Sequence, residues 1–357
     1  MKKVLSIGFM ALVLTACGGK KQNAEEIIDL PRAEVDQNIA VAVDSFYNAT
    51  ATRPVKPDSI ELHSVMVVKH GEVVYEKWFN GYTPERRHQM FSVSKTFTAV
   101  GVGMAIEEGK LALTDKVISF FPDLLPDTVS ENLAAMTVRD LLTMTCGHNS
   151  EPTGDPETIK SWAQVFLSWP VEHKPGEYYL YNSMGTFMLS AIIQKVTGQK
   201  LFDYLTPRLF EPLHIKDATW DENPEGINFG GWGLTIKTED MAKLGQLFLN
   251  EGKWNGKQLV SGEWLKEMGS YKVESSPSGT PYEMRETYGL TKDNNEWVQG
   301  YGYQMWMSRH DSFRADGYAG QYIMIFPKRD AVLVLTTKSS QYQPYIDIIW
   351  QYLLPIL

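Results

Sequence analysis

Strand-like runs at opposite ends of the chain constrain its fold most. HSVMVVKHG (63–71) and EVVYEKWF (72–79) are rich in β-branched and aromatic residues and meet at Lys69-His70-Gly71-Glu72, a hairpin signal. Far along the chain three more candidates follow in succession: YGYQMWMSR (301–309), GQYIMIFP (320–327) and AVLVLTTK (331–338). Between the two groups, residues 110–215 read as helical. TVRDLLTMTCG (137–147) starts at a Thr cap and stops at Gly, and MGTFMLSAIIQKVTG (184–198) has an apolar stripe and a Gly stop. FTAVGVGMAIEEG (97–109) is apolar nearly all round, the pattern of a helix buried at the middle of a domain. A one-sided helix over 33–47, an amphipathic helix over 239–252 and the closing PYIDIIWQYLLPIL complete the order. This order predicts an α+β fold: an antiparallel sheet flanked by N- and C-terminal helices, with an inserted all-α domain. On that reading 33–80 and 216–357 form the sheet domain and 81–215 the helical domain.

The N-terminus reads as a targeting segment. Lys2 and Lys3 precede an apolar stretch from Val4 to Leu14, too short to span a bilayer as a helix. It ends in Leu14-Thr15-Ala16-Cys17, which resembles the lipobox of bacterial lipoproteins. The expectation is a signal peptide over 1–16, a lipidated Cys17 and a flexible polar tether over 17–32. A lipid anchor places the chain in the cell envelope, on the inner or outer membrane, facing the periplasm or the cell surface. Cys146 is then left without an intrachain disulfide partner. The seven histidines are scattered, and neither C-x-x-C nor H-E-x-x-H occurs, so no metal or other cofactor is expected. A net charge of −9, with no basic block beyond Lys20-Lys21, argues against nucleic acid as a partner.

FSVSK (91–95) carries the chemistry. If a helix starts at Ser92, then Ser92 and Lys95 stand at i and i+3 and share a face, whereas Ser94 points away. A serine there has free backbone N–H groups nearby, suited to an oxyanion. A serine hydroxyl is a poor nucleophile without a base, and a lysine amine in an apolar site can serve. Taken alone, the pentapeptide also fits a serine cap followed by a solvated lysine.

Two further stretches weigh for catalysis: PGEYYLYNSMG (175–185), with Tyr181 just before a helix, and FRADGYAGQYIMIFP (313–327), bearing Ala315-Asp316-Gly317. With these, the chain resembles serine hydrolases related to class C β-lactamases and penicillin-binding proteins, from about residue 60 to 340. The G-x-x-G-Q of the last stretch is most similar to the branch containing ester and amide hydrolases. The resemblance implies a β-lactamase/transpeptidase-like fold and an acyl-enzyme on Ser92, with Lys95 and Tyr181 moving protons. Which of those two first takes the proton is left open. It further implies an oxyanion hole from the N–H groups of Ser92 and Tyr318, and substrate contacts at Ser183, Asp316 and Gly317. Trp232, in FGGWG, is a candidate cleft wall, as are Trp220, Trp297 and Trp306; His88 and His148 read as solvated or capping. Two departures stand out. Tyr-x-Asn is here Tyr181-Asn182-Ser183, and Lys-Thr-Gly is here Ala315-Asp316-Gly317, which removes the lysine that attracts a substrate carboxylate. A small or peptide-like ester or amide, neutral or cationic, is therefore the expected substrate. The alternatives are a true β-lactamase or D,D-peptidase, or a catalytically weak penicillin-binding-like sensor or peptidoglycan-binding lipoprotein.

Overall fold

The computed structural model describes residues 27–51, 60–153 and 161–357. Its centre is a six-stranded antiparallel sheet of β1 (Glu61–Lys69), β2 (Glu72–Trp78), β3 (Trp306–Ser308), β4 (Ser312–Gly317), β5 (Gln321–Phe326) and β6 (Ala331–Lys338), in the order β2-β1-β6-β5-β4-β3. Both chain ends thus build one sheet. The β1–β2 turn is two residues long, with His70 at φ 52° and Gly71 at φ 82°, the left-handed pair whose twist suits a tight hairpin.

Strand periodicity sorts the core into two layers. Val65, Val67, Leu333, Leu335, Tyr322 and Met324 face α1 (Gln37–Ala51) and the closing helix, Tyr342–Tyr352. The alternate residues Met66, Val68, Ile323, Ile325, Val332 and Val334 face the other way. They meet α2 (Ser94–Glu107), α3 (Ser183–Thr197) and α4 (Thr238–Leu249) in the larger core. Helix α4 lies hard on the sheet: a Cβ on Gly245 would come within 2.4 Å of Val332. Because both faces are covered, the strands are near-continuous apolar runs rather than alternating ones.

The structure departs from the sequence reading in three places. Within 301–309 only Trp306–Ser308 is strand; Gln304 adopts φ 57° and the chain turns back, with Tyr301 bridging both Val273 and Trp306. Much of 110–215 is short turns and single-turn helices around α3 rather than long helices. The stretch expected to be a flexible tether is held from Ile27 onward. Ile27 N donates to Asn255 (2.8 Å), Arg32 pairs with Glu239 (2.7 Å) and Glu76 (3.0 Å), and Ala33 N donates to Val73 O (3.0 Å). The expected signal segment and Cys17 lie outside the described residues. Among the described residues no helix is long and apolar enough to cross a membrane.

Candidate active site

Ser92 sits in a single 3-10 turn, Phe91–Val93, that feeds directly into α2. Ser92 in the turn and Lys95 in the first turn of α2 stand three residues apart and share a face. Entry to the turn is strained: Phe91 adopts φ 47°, and its ring is braced edge-on against Tyr318 at 5.3 Å. Lys95 is 1% exposed, and its Nζ donates to Ser92 Oγ (3.1 Å), Ser183 Oγ (3.1 Å) and the Gly231 carbonyl (2.7 Å). Ser94 is buried elsewhere, where its Oγ accepts the Leu234 N–H at 3.2 Å. Of the two serines in FSVSK, only Ser92 faces the lysine.

Burial pushes the Lys95 ammonium down to about 7, with the Glu151 carboxylate opposing the shift. As an ammonium it donates to all three partners; once neutral, two N–H bonds can serve Gly231 O and Ser183 Oγ, which turns the lone pair to the Ser92 hydroxyl. Glu151 had no local signal in the sequence. Its Oε1 accepts the N–H groups of Ser183 (2.5 Å) and Met184 (3.2 Å) at the start of α3, fixing the serine that holds Lys95. Asn182 caps the same helix by accepting from Gly185 N at 3.0 Å.

Tyr181 stacks on Trp306 (5.3 Å between centroids), and Lys95 Nζ lies 5.0 Å from its ring. Burial holds its phenol well above the ordinary range, and hydrogen bonding to the Ser92 hydroxyl offsets this only in part. Tyr181 is therefore protonated in the resting site. Across from the 3-10 turn, β4 outruns its partner β3, whose pairing ends at Arg314. The freed end approaches so closely that a Cβ on Gly317 would lie 2.4 Å from the Met90 carbonyl. The N–H groups of Ser92 and Tyr318 donate to no described residue. Ser92, Tyr181, Trp297, Trp306, Asp316, Gly317, Tyr318 and Tyr342 line a cavity of about 570 Å³.

Residues 56–354 match the model of the Beta-lactamase family. The chain belongs to the Beta-lactamase family. Among curated relatives, the 6-aminohexanoate-dimer hydrolase of Paenarthrobacter ureafaciens is 25% identical over 291 residues, covering 75% of this chain and 70% of that one. Protein flp of Staphylococcus aureus (strain COL) is 27% identical over 313 residues, 79% of this chain and 60% of flp. A penicillin-binding protein homologue from Caulobacter crescentus superposes with TM-score 0.69 at 15% identity, covering 91% of this chain and 99% of that one. The β-lactamase/transpeptidase-like fold holds, and the chain is a serine hydrolase of this family.

Several expected contacts of this family member take other positions. Trp232 does not line the cavity; it stacks with Phe229 (4.8 Å) and Trp162 (5.9 Å), because FGGWG turns the ring toward the helical side. Trp220 is buried behind it, donating to the Trp232 carbonyl at 2.8 Å. Ser183 also lies off the cavity wall and faces Lys95 instead. His88 and His148 are buried rather than solvated, each pushed down to about 4 by desolvation. Asp316 does face the cavity and is paired with Arg314 behind it, at 3.0 Å.

Proposed function

We propose that this chain cleaves an ester or amide through an acyl-enzyme on Ser92 and is tethered by lipid on Cys17 in the cell envelope. The observation that carries the reaction is the sealed lysine at 3.1 Å from Ser92, shifted to where half of it is neutral near pH 7. Neutral Lys95 takes the Ser92 proton as Oγ attacks the substrate carbonyl. The developing oxyanion is received by the free N–H groups of Ser92 and Tyr318, each worth about 2.7–4 kcal/mol of barrier in comparable sites. Tyr181 gives its proton to the leaving oxygen or nitrogen and regains one from the Lys95 ammonium. Water then attacks the acyl group by the reverse path, and Ser92 is released.

One relative is named a hydrolase of the 6-aminohexanoate dimer, which supports a hydrolase reading. Among the described residues the cavity wall carries no lysine or arginine to greet a β-lactam carboxylate. Purified protein should hydrolyse p-nitrophenyl butyrate, lose this in Ser92→Ala, and turn over nitrocefin only feebly. An inert wild type sinks the reading, and rapid nitrocefin turnover moves it to β-lactamase. For the anchor, Ile27 is held to the body, so the ten residues from Cys17 reach at most about 35 Å. Cys17→Ala should move the protein from the membrane fraction to the soluble one; an unchanged distribution counts against lipidation.

A further inference from the structure

The cavity has a charge that the reaction does not use. Among the described residues of its wall, Asp316 is the only Asp, Glu, Lys or Arg; burial pushes its carboxyl up, and Arg314 opposes that shift. It terminates a chain of ion pairs running inward from the surface. Asp347 pairs with Arg309 (2.8 Å), Arg309 with Glu296, Glu296 with Arg314 (3.5 Å), and Arg314 with Asp316 (3.0 Å). Three carboxylates meet two guanidiniums: Arg309 and Arg314 match Glu296 and Asp316, and the third carboxylate, Asp347, is half exposed at the surface end. The side chains of Glu296 and Arg314 are fully buried and Asp316 is 9% exposed, so water screens the inner end poorly. Arg314 reaches Asp316 Oδ2 through Nε and Nη2, both at 3.0 Å, and leaves Oδ1 without a partner among the described residues.

The inner end opens on the cavity. Trp297 Nε1 (2.9 Å) and Arg314 Nε (3.0 Å) both donate to Asp316 Oδ2, and Oδ1 takes no hydrogen bond from a described residue. Around it stand aromatic rings at steep angles, Trp297 turning its Nε1 edge to the carboxylate with the Arg314 guanidinium 5.1 Å from its ring centre. Trp297 and Tyr342 meet at 76° with centroids 6.1 Å apart, and Tyr318 and Tyr342 at 58° and 6.2 Å. Such a box with a carboxylate at its base suits a desolvated organic cation: the ring faces attract it and the walls give it apolar contact. A substrate carboxylate in the same place would meet like charge and no donor.

We propose that this box is a subsite for an alkylammonium group of the substrate, so that Ser92 acts on esters or amides bearing a cationic amine. The inference rests on the hydrolase reading. The side of the scissile bond on which the cation sits is read by experiment.

The test uses two matched triads of p-nitrophenyl or thiol esters, one varying the acyl group and one the leaving group. Each triad has a trimethylammonium, a tert-butyl group of the same shape, and a carboxylate. In at least one triad the wild type should favour the cation over its neutral isostere by about tenfold in kcat/KM, with the carboxylate last. In Asp316→Asn that ratio should collapse to about one. Ratios near one in both wild-type triads, or a ratio unchanged in Asp316→Asn, overturn the proposal. Tetraethylammonium gives a readout that does not depend on the variant's folding. It should inhibit neutral-ester hydrolysis by the wild type competitively, and failure to do so counts against the subsite. If the wild type hydrolyses no ester, the hydrolase reading fails and tryptophan fluorescence decides the subsite. Quenching by tetraethylammonium in the wild type but not in Asp316→Asn supports it, and no quenching in either overturns it.

Discussion

Lys95 Nζ lies 3.1 Å from Ser92 Oγ at the floor of the cavity, with its whole side chain withdrawn from water. Burial dominates its proton affinity, because the one opposing influence, Glu151, falls short of restoring an ordinary lysine. The amine is therefore available as a base at neutral pH, a state no exposed lysine reaches.

Activity should follow that amine. Lys95 is competent when neutral, so kcat/KM should rise with pH through an ascending limb centred near about 7. Lys95→Ala should lose about 10²–10⁴-fold, the usual span for a positioned general base. A flat profile from pH 5 to 9 would remove Lys95 from that role.

Tyr181 should matter according to the leaving group. Its phenol is held protonated in the resting site, so its work is to donate. Tyr181→Phe should lose little with p-nitrophenyl esters, whose leaving group needs no proton. With alkyl esters or amides it should lose about 10²-fold or more. Equal losses on both classes would assign Tyr181 to attack rather than departure.

The sheet was legible because its signals are local. β1 and β2 are runs rich in β-branched residues around a two-residue turn, and β5 and β6 are apolar runs joined by residues 327–330, with Asp330 at φ 47°. The apolar run 301–309 misled because its residues pack as an irregular loop. Gly302 lies so close to Met268 O that a Cβ would approach to 2.1 Å, and only three residues join the sheet. Of the site, Ser92 and Lys95 share one turn and could be paired on spacing alone. Trp232 could not be placed, because a glycine-flanked ring can turn to either side. Glu151 and the Arg314–Glu296 pair act through partners distant in sequence, and no window of sequence shows such a contact.

Glu151 should act as a positioning residue. Its carboxylate raises the proton affinity of Lys95, so removing the charge lowers it. Glu151→Gln should therefore shift the ascending limb to lower pH, so that activity at pH 6 rises relative to pH 8. Glu151→Asp should keep the wild-type midpoint if it still reaches the Ser183 N–H. An unmoved midpoint in Glu151→Gln, with only kcat lowered, would leave Glu151 a helix cap and nothing more.

His148 should make the fold acid-sensitive. Its ring is fully buried, accepts from Asn182 Nδ2 at 3.2 Å, and is lowered from 6.5 to about 4. Above pH 6.5 the ring is neutral in both folded and unfolded chains, and its contribution is constant. As pH falls toward about 4 the unfolded chain binds the proton first, removing about 3 kcal/mol. Urea midpoints at pH 7 and pH 4.5 should differ less in His148→Gln than in the wild type. An equal acid shift in both proteins would place the sensitivity elsewhere.

The account stands most directly on the covalent intermediate. Wild-type protein treated with a fluorophosphonate, digested and read by mass spectrometry should carry the adduct on the peptide containing FSVSK. Fragment ions should place it on Ser92. Ser92→Ala should take no label, and Ser94→Ala should still be labelled. An adduct on Ser94 or on any other residue, or no adduct on folded wild type, would contradict a nucleophilic Ser92.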